Sequence, residues 1–448
     1  MQTWFRLVPE GRKPESSQIV ATCAFALLRQ SAGSQPPAPV THPLTVPPPF
    51  ILQTFNALIS IGSILALMLG TVRWTSWEWL PWQIGVVTTV VNLCYGGLVF
   101  IGGRLADRWG RARSGILGSA IGLSGCTLAM VCDQQWTTVV AAMSGFAGAA
   151  MFFPGSAGLF SDAEGAAGGK SPLLHAKIRS YNLGWGIGNL VAFLLFAWLS
   201  TVAPWIAYGV AAFSFLLVGV GLWRWRHLPP RPPEPSGDRA PHAALPRLLI
   251  MYRINLFFGC TLCMAMITQL AKGLTDAQVK VDDAKILASG ALSAFSVGYM
   301  LVFILLGSWT GWILRPWKLW IGQLGFLLGA AGFLTLSLLG TFPMALIIAC
   351  GGLIGCGYGS AYVGSIYYSL RLPEGVGKAA GWHETFIGLG NTTGPLLAGL
   401  FMSFICGGIN GLSIFLLSLA LIMMIWQMVM IPGASRLGAR GSQREAAK

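Results

Sequence analysis

From Phe50 onward the chain alternates apolar runs of about 20 residues with short polar turns, the length at which a helix crosses about 30 Å of hydrocarbon. Twelve such runs are legible, near 50–71, 82–102, 114–132, 136–157, 180–200, 204–225, 248–270, 286–308, 318–340, 342–369, 379–403 and 409–431. They predict an all-α membrane protein with twelve transmembrane helices. Between the sixth and seventh runs, residues 227–246 carry Pro229, Pro230, Pro232, Pro233, Pro235, Pro241 and Pro246, which predicts a semi-rigid, non-helical linker. The chain thus divides into an amino-terminal six-helix bundle, 50–226, and a carboxy-terminal one, 247–433, followed by a tail, 434–448.

Residues 1–49 break the rhythm. Their one apolar stretch, Ile19 to Leu28, is too short to span, and seven prolines crowd the segment between Pro36 and Pro49. The segment is expected to be a disordered cytoplasmic tail. The alternative is a misassigned start: no methionine lies between Met1 and Met68, so a later start would use a codon such as that of Val40 or Val46.

Composition agrees with lipid as the solvent, since 54% of the residues are hydrophobic and only 10% charged. The formal net charge of +14 would suggest nucleic acid in a soluble protein. Here its distribution matters more. With an inside amino terminus, 25 of the 29 Lys and Arg residues fall on inside segments, leaving only Arg73, Lys272, Lys280 and Lys285 outside. By the positive-inside rule both termini are then cytoplasmic, and no nucleic-acid partner is required. The expected location is the inner membrane of a bacterium.

The turn between the second and third runs reads Gly103-Arg104-Leu105-Ala106-Asp107-Arg108-Trp109-Gly110-Arg111-Ala112-Arg113. With apolar runs on both sides it is expected to be a tight polar turn, bent at Gly103 and Gly110. The string resembles the G-x-L-A-D-R-x-G-R-[KR]-[KR] signature of the major facilitator superfamily, with Ala112 as its single departure. That resemblance implies two pseudo-symmetric six-helix bundles that rock about a central site. It also implies a gate role for the signature: Asp107 near the amino-terminal end of span eleven, whose dipole favours an anion, and Arg108 and Arg111 near Asp162 or Glu164.

Such folds are built from related halves, and the sequence carries a trace of it. Asn182, Gly186, Gly188 and Asn189 in span five recur 202 residues later as Glu384, Gly388, Gly390 and Asn391 in span eleven. Positions 182, 186 and 189 share a helical face, as do 384, 388 and 391. The signature has a decayed copy 204 residues on, where Gly307 and Arg315 match Gly103 and Arg111, but Gly311 and Trp312 replace Asp107 and Arg108.

Glu384 is the one acidic residue placed inside an apolar run, and His383 beside it the one such histidine. An ionisable group there costs several kcal/mol in order of magnitude unless it faces a cavity or a partner. Glu384, with His383 as a second candidate, is therefore the candidate proton carrier; the plainer alternative is a carboxylate reaching water or an arginine at the membrane edge. Gly381, Gly390, Gly394, Pro395 and Gly399 resemble the antiporter motif of the drug-exporting branch, although that motif belongs on span five and Ala398 interrupts it. Close helix packing explains such glycines equally well. At mid-depth, Asn92, Tyr95, Asn189, Tyr299, Tyr358, Tyr362 and Asn391 are candidates to line a cargo path. No Lys or Arg shares their depth, which disfavours a strongly anionic cargo.

Nine scattered cysteines make no disulfide framework, and Cys260-Thr-Leu-Cys263 has no second pair to complete a metal site. No nucleophile elbow or phosphate loop is present, which argues against an enzyme or an ATP-driven pump and calls for no cofactor. The expectation is a monomeric secondary transporter of a small organic solute, with proton-coupled export as its finer form. An uncoupled facilitator and a transporter-like sensor that binds without moving its ligand are the alternatives.

Overall fold

The computed structural model describes residues 47–166, 174–228, 245–309, 311–313, 315, 319–369 and 376–446. The expected amino-terminal tail, up to residue 46, and most of the linker, 229–244, lie outside them. Among the described residues twelve long helices follow one another: α1 (Pro49–Ser76), α2 (Pro81–Trp109), α3 (Arg111–Val131), α4 (Gln135–Ala166), α5 (Leu174–Leu199), α6 (Pro204–Trp223), α7 (Leu245–Asp276), α8 (Val281–Ser308), α9 (Leu319–Leu339), α10 (Met344–Ser369), α11 (Val376–Leu400) and α12 (Gly408–Ala446). A π-helical turn, Phe401–Ile405, extends α11. Proline opens α1, α2 and α6, where its missing N–H is not needed and its fixed φ suits the first turn.

Eleven of these helices are long and apolar enough to cross a membrane. The one outside that set is α11, which carries His383, Glu384, Asn391, Thr392 and Thr393. The helices overrun the apolar runs. α4 reaches Ala166, so Asp162 and Glu164 stand on it instead of following it, and α12 continues as helix through the expected tail to Ala446.

The signature segment departs most from expectation. It is not a polar turn: α2 continues through Trp109, α3 begins at Arg111, and the only break is Gly110, at φ +102°. Charged side chains that point to solvent do not interrupt backbone hydrogen bonding, so the helix runs past its apolar part while Ala106 keeps it packed. Only Gly110 uses the conformational freedom of glycine. Gly103 is helical, and a methyl group on it would meet Pro154 at an ordinary 3.8 Å.

In the first half α3 packs on α4 and α6, and α1 on α4 and α5; in the second, α10 packs on α8 and α9, and α7 on α11 and α12. Small residues permit the closest of these approaches. Gly118 of α3 and Gly148 of α4 face each other so tightly that a methyl group on either would lie within 2.5 Å of the other's carbonyl oxygen. Two pairs make most of the contact between the halves, α2 with α11 and α5 with α8. Replacing each helix by its counterpart six places along turns one pair into the other, the pseudo-twofold relation expected of paired repeats. Large apolar side chains such as Leu194, Trp198, Phe213, Leu338 and Phe404 are exposed on the outer faces, as lipid requires.

Candidate functional site

A cavity of about 130 Å³ lies where the halves meet. α1 contributes Ser60 and Ser63, α2 Tyr95, and α4 Phe146 and Phe153; α5 adds Tyr181, Trp185 and Asn189, α10 Tyr358 and Tyr362, and α11 Glu384, Ile387 and Asn391. The α5 residues stand four apart and those of α11 three and four apart, so each helix offers one face. The repeat-related asparagines, Asn189 and Asn391, both reach the cavity. So does Glu384, whose carboxylate makes no hydrogen bond or ion pair with any described residue. No Lys or Arg is among the lining residues.

One wall is aromatic. The Trp185 ring lies 5.3 Å from that of Tyr362 and 5.2 Å from that of Tyr299, and Tyr358 stands 5.9 Å from Tyr362. Such offset and tilted pairs hold large rings in place. Trp185, Tyr181, Phe146, Phe153, Ile387 and the two serines are among the members that sequence reasoning missed. Trp185 carried a usable signal, since it falls one turn before Asn189 between two glycines of the repeat string.

Other candidates stand elsewhere. Asn92 is fully buried, donates to the Thr88 carbonyl at 2.8 Å and does not line the cavity. Tyr299 forms a second layer behind Trp185, its hydroxyl donating to the Gly186 carbonyl of α5 at 3.3 Å. His383 turns from the cavity: its Nδ1 lies 2.9 Å from Ser365 Oγ, and its ring meets the Tyr362 ring edge-on at 5.0 Å. Asn182, the repeat partner of Glu384, is fully buried and accepts the indole N–H of Trp185 at 3.3 Å.

At the end remote from the signature the halves are sealed. Gln269 Nε2 donates to the Pro81 carbonyl at 3.1 Å, the Trp82 N–H donates to Ser403 Oγ at 3.1 Å, and Thr89 Oγ1 donates to the Thr392 carbonyl at 2.8 Å. Methyl groups on Gly85 or Gly399 would lie 2.5 Å from the carbonyl oxygens of Pro395 and Pro81. The cavity begins beyond this seal, at Tyr95 and Asn391, on the signature side. The pair α5 and α8 stays in contact from Ser289 Oγ, which donates to the Phe193 carbonyl at 2.5 Å, to Arg179, which donates to Ser308 Oγ at 2.7 Å.

Two of the glycines resembling an antiporter motif pack α11 against α7: methyl groups on Gly390 and Gly394 would lie 2.4 and 2.3 Å from the Phe257 and Thr261 carbonyl oxygens. Cys260 is buried in that same contact. Among the described residues no cluster could hold a metal ion.

At the signature, Asp107 and Arg108 are exposed at the end of α2. Arg111 instead reaches α4, donating to the Gly158 carbonyl at 2.6 Å. Asp162 lies one turn further along α4; its side chain is outside the described ones. In the decayed copy, Trp312 stands where Arg108 does, buried against Tyr367 at 5.0 Å, with its N–H donated to the Leu306 carbonyl at 3.0 Å. Arg315 is exposed, the counterpart of Arg111.

Comparison with known proteins agrees with this architecture. No curated protein matches the sequence closely enough to count as a relative. A bacterial homologue of the human lysosomal transporter Spinster, solved inward-facing and unoccupied, superposes with a TM-score of 0.63 at 15% identity, over 90% of this chain and 99% of that one. The nucleoside transporter NupG gives 0.62 at 14% identity, over 85% and 99%. A structure from work on substrate recognition in proton-dependent oligopeptide transporters gives 0.61 at 15%, over 88% and 99%. These likenesses speak for the fold. The family model of the Major Facilitator Superfamily matches residues 44–395, most of the chain, and with the signature, the paired bundles and the central cavity it makes this protein a member of that superfamily of transporters.

Proposed function

We propose that the protein is a secondary transporter that moves a small organic solute by rocking its two bundles about the central cavity, with Glu384 as the carrier of a coupling proton. The observation that carries this reading is the meeting of Asn189 and Asn391, equivalent positions of the two halves, with an unpaired carboxylate in one cavity at the bundle interface. Cargo sites of pseudo-symmetric transporters lie at such interfaces. Membership of the superfamily points away from an enzyme.

The split of Lys and Arg supports a cytoplasmic signature end. The sealed end is then the outer one, and the cavity faces inward. Three of the four outer cations are held by neighbouring acids, Arg73 by Asp133, Lys272 by Asp276 and Lys285 by Asp282 at 3.0 Å. Exchange of cargo for inward-moving protons gives export. The signature acts as the inner gate: the α2 and α11 register, 85 with 395 and 96 with 388, carried onward brings Asp107 to the start of α11 when the inner end closes. Arg111, which donates to the Gly158 carbonyl one turn before Asp162, ties α3 to α4 at that end.

A transport assay tests the reading. Protein in proteoliposomes with an imposed pH gradient should accumulate a solute identified by thermal-shift screening, and Glu384→Gln should abolish the response to pH. Unchanged pH-driven transport in that variant would leave an uncoupled facilitator.

A further inference from the structure

Of the fifteen side chains that line the cavity, one is charged, and it is the Glu384 carboxylate. Seven are aromatic, and the polar remainder are the amides of Asn189 and Asn391 and the hydroxyls of two serines. An ionised carboxylate in a cavity walled largely by rings finds no counter-ion among the described residues that line it. A positive charge brought to it, by a proton or by a ligand, supplies what the lining does not. The titratable groups that feel the Glu384 charge from neighbouring helices are Tyr95 on α2, Tyr181 on α5, Tyr362 on α10 and Cys260 on α7. A phenol or a thiol supplies no positive charge at any pH. His383, on the same helix, is turned away onto Ser365 and Tyr362. Arg253 of α7 stands behind His383, within reach of Ser369 and outside the cavity lining.

We infer that the cavity takes an organic monocation: an ammonium centre borne on a flat apolar body, with Glu384 as its counter-ion and the Trp185 and Tyr362 rings as its walls. The inference rests on the reading of this cavity as the cargo site. Ring faces attract cations, most strongly where water is excluded, and tryptophan is the best of them. The amide oxygens of Asn189 and Asn391 can accept N–H donors from the same cargo. A neutral solute would bring no charge to the ionised carboxylate, and an anion would be repelled by it.

A mechanistic consequence follows. Proton and cargo neutralise the same carboxylate, so they exclude each other, and the occupied cavity carries the same net charge with either. One monocation exchanged for one proton moves no net charge. Transport should then respond to a pH gradient and not to membrane potential.

Isothermal titration of the full chain in lipid nanodiscs tests the class, with benzyltrimethylammonium, benzyl alcohol and phenylacetate as cation, neutral and anion on one benzyl body. The ammonium should bind saturably, with benzyl alcohol at least about tenfold weaker and phenylacetate absent, the scale of a lost charge-assisted contact. Glu384→Gln should weaken the ammonium by about tenfold or more, and Glu384→Asp should restore most of that loss. Below the pH at which the carboxyl group takes up its proton, ammonium affinity should fall about tenfold per pH unit. Equal thermal melting of the three proteins separates this from misfolding. The inference is overturned if benzyl alcohol or phenylacetate binds as tightly as the ammonium, if no ammonium binding is detected, or if Glu384→Gln binds it as the parent does. Failure of the transport reading looks different: the ammonium then binds through Glu384, but proteoliposomes never move it. Conversely, uptake of a neutral solute that depends on Asn189 and Asn391, without ammonium binding, would keep the transporter and sink the cation.

Discussion

Helices α5 and α11 descend from one pattern and use it differently. Both carry Gly-x-Gly-Asn, and both bring that asparagine to the cavity. One turn or two earlier they part. α11 turns Glu384 into the cavity, whereas α5 presents Tyr181 and Trp185 and buries Asn182 among its neighbours. The glycines between explain the difference. Gly186 lies against Met300 and Tyr299 of α8, a bulky pair, while Gly388 faces the backbone of Gly96 on α2. A stripe of residues in a sequence names a face of a helix; the neighbour it leans on decides which edge of that face meets the cargo. One half thus supplies rings and the other a charge.

The comparison breaks first at Glu384. If the charge of the site resides on α11 alone, Glu384→Gln should lower pH-driven uptake by about 100-fold, the lower end of what removing a proton-transfer group costs. Initial rates in proteoliposomes with and without a pH gradient measure it. A loss of the same size in both conditions would mean that the carboxylate binds cargo without coupling it.

At the asparagines the two helices should behave alike. Asn189→Ala and Asn391→Ala should each weaken cargo binding by about tenfold, the effect of one hydrogen bond to a charged or strongly polar partner. If both hold one cargo, the double variant should fall short of the product, with a coupling of about 0.5 kcal/mol or more. Calorimetric titration of the three variants measures that term, and purely additive losses would place them on separate ligands.

Between α2 and α7 the seal offers a smaller effect. Gln269, fully buried, gives Nε2 to the Pro81 carbonyl while its Oε1 finds no partner among the described residues. Gln269→Ala removes one bond worth about 1 kcal/mol, enough to raise the population open at that end about fivefold. Amide hydrogen exchange at residues 82–89 should quicken by that factor, since those amides open when α2 parts from α7 and α11. An unchanged rate would show that the glycine contacts alone hold the seal.

The twelve helices were legible because lipid imposes a length on every apolar run, and Pro49, Pro81 and Pro204 mark three of the starts. The asparagine pair was legible because the two copies keep register. Other features were hidden for a physical reason. Nothing in the string 103–113 distinguishes a solvated helix end from a turn, since arginines suit both and only Gly110 carries a dihedral angle that other residues avoid. Asn92 and Tyr299 have the composition and depth of cargo residues, yet their orientation follows from helix rotation. Trp185 is an apolar residue in an apolar run until its neighbours Tyr299, Phe303 and Tyr362 are assembled around it.

The smallest expected effect is at Asn182, and it sharpens the comparison most. By sequence register Asn182 is the equivalent of Glu384, so a symmetric site would give it a share in cargo binding. In the fold it accepts the indole N–H of Trp185, while its own Nδ2 finds no partner among the described residues. Asn182→Ala therefore loses one long hydrogen bond and also removes an unsatisfied donor, terms that offset to within about 1 kcal/mol. Cargo affinity should change by about twofold at most, through a loosened Trp185, an indirect loss smaller than the one a direct contact shows on truncation. The decisive form of the test moves the charge: Glu384→Gln combined with Asn182→Glu keeps one carboxylate in the repeat stripe but puts it on α5. Because position 182 points into packed helices, the combination should recover none of the pH-driven uptake lost in Glu384→Gln. Recovery would mean that α5 can rotate its stripe into the cavity, and that the asymmetry of the two helices belongs to one conformation of the transporter and not to its sequence.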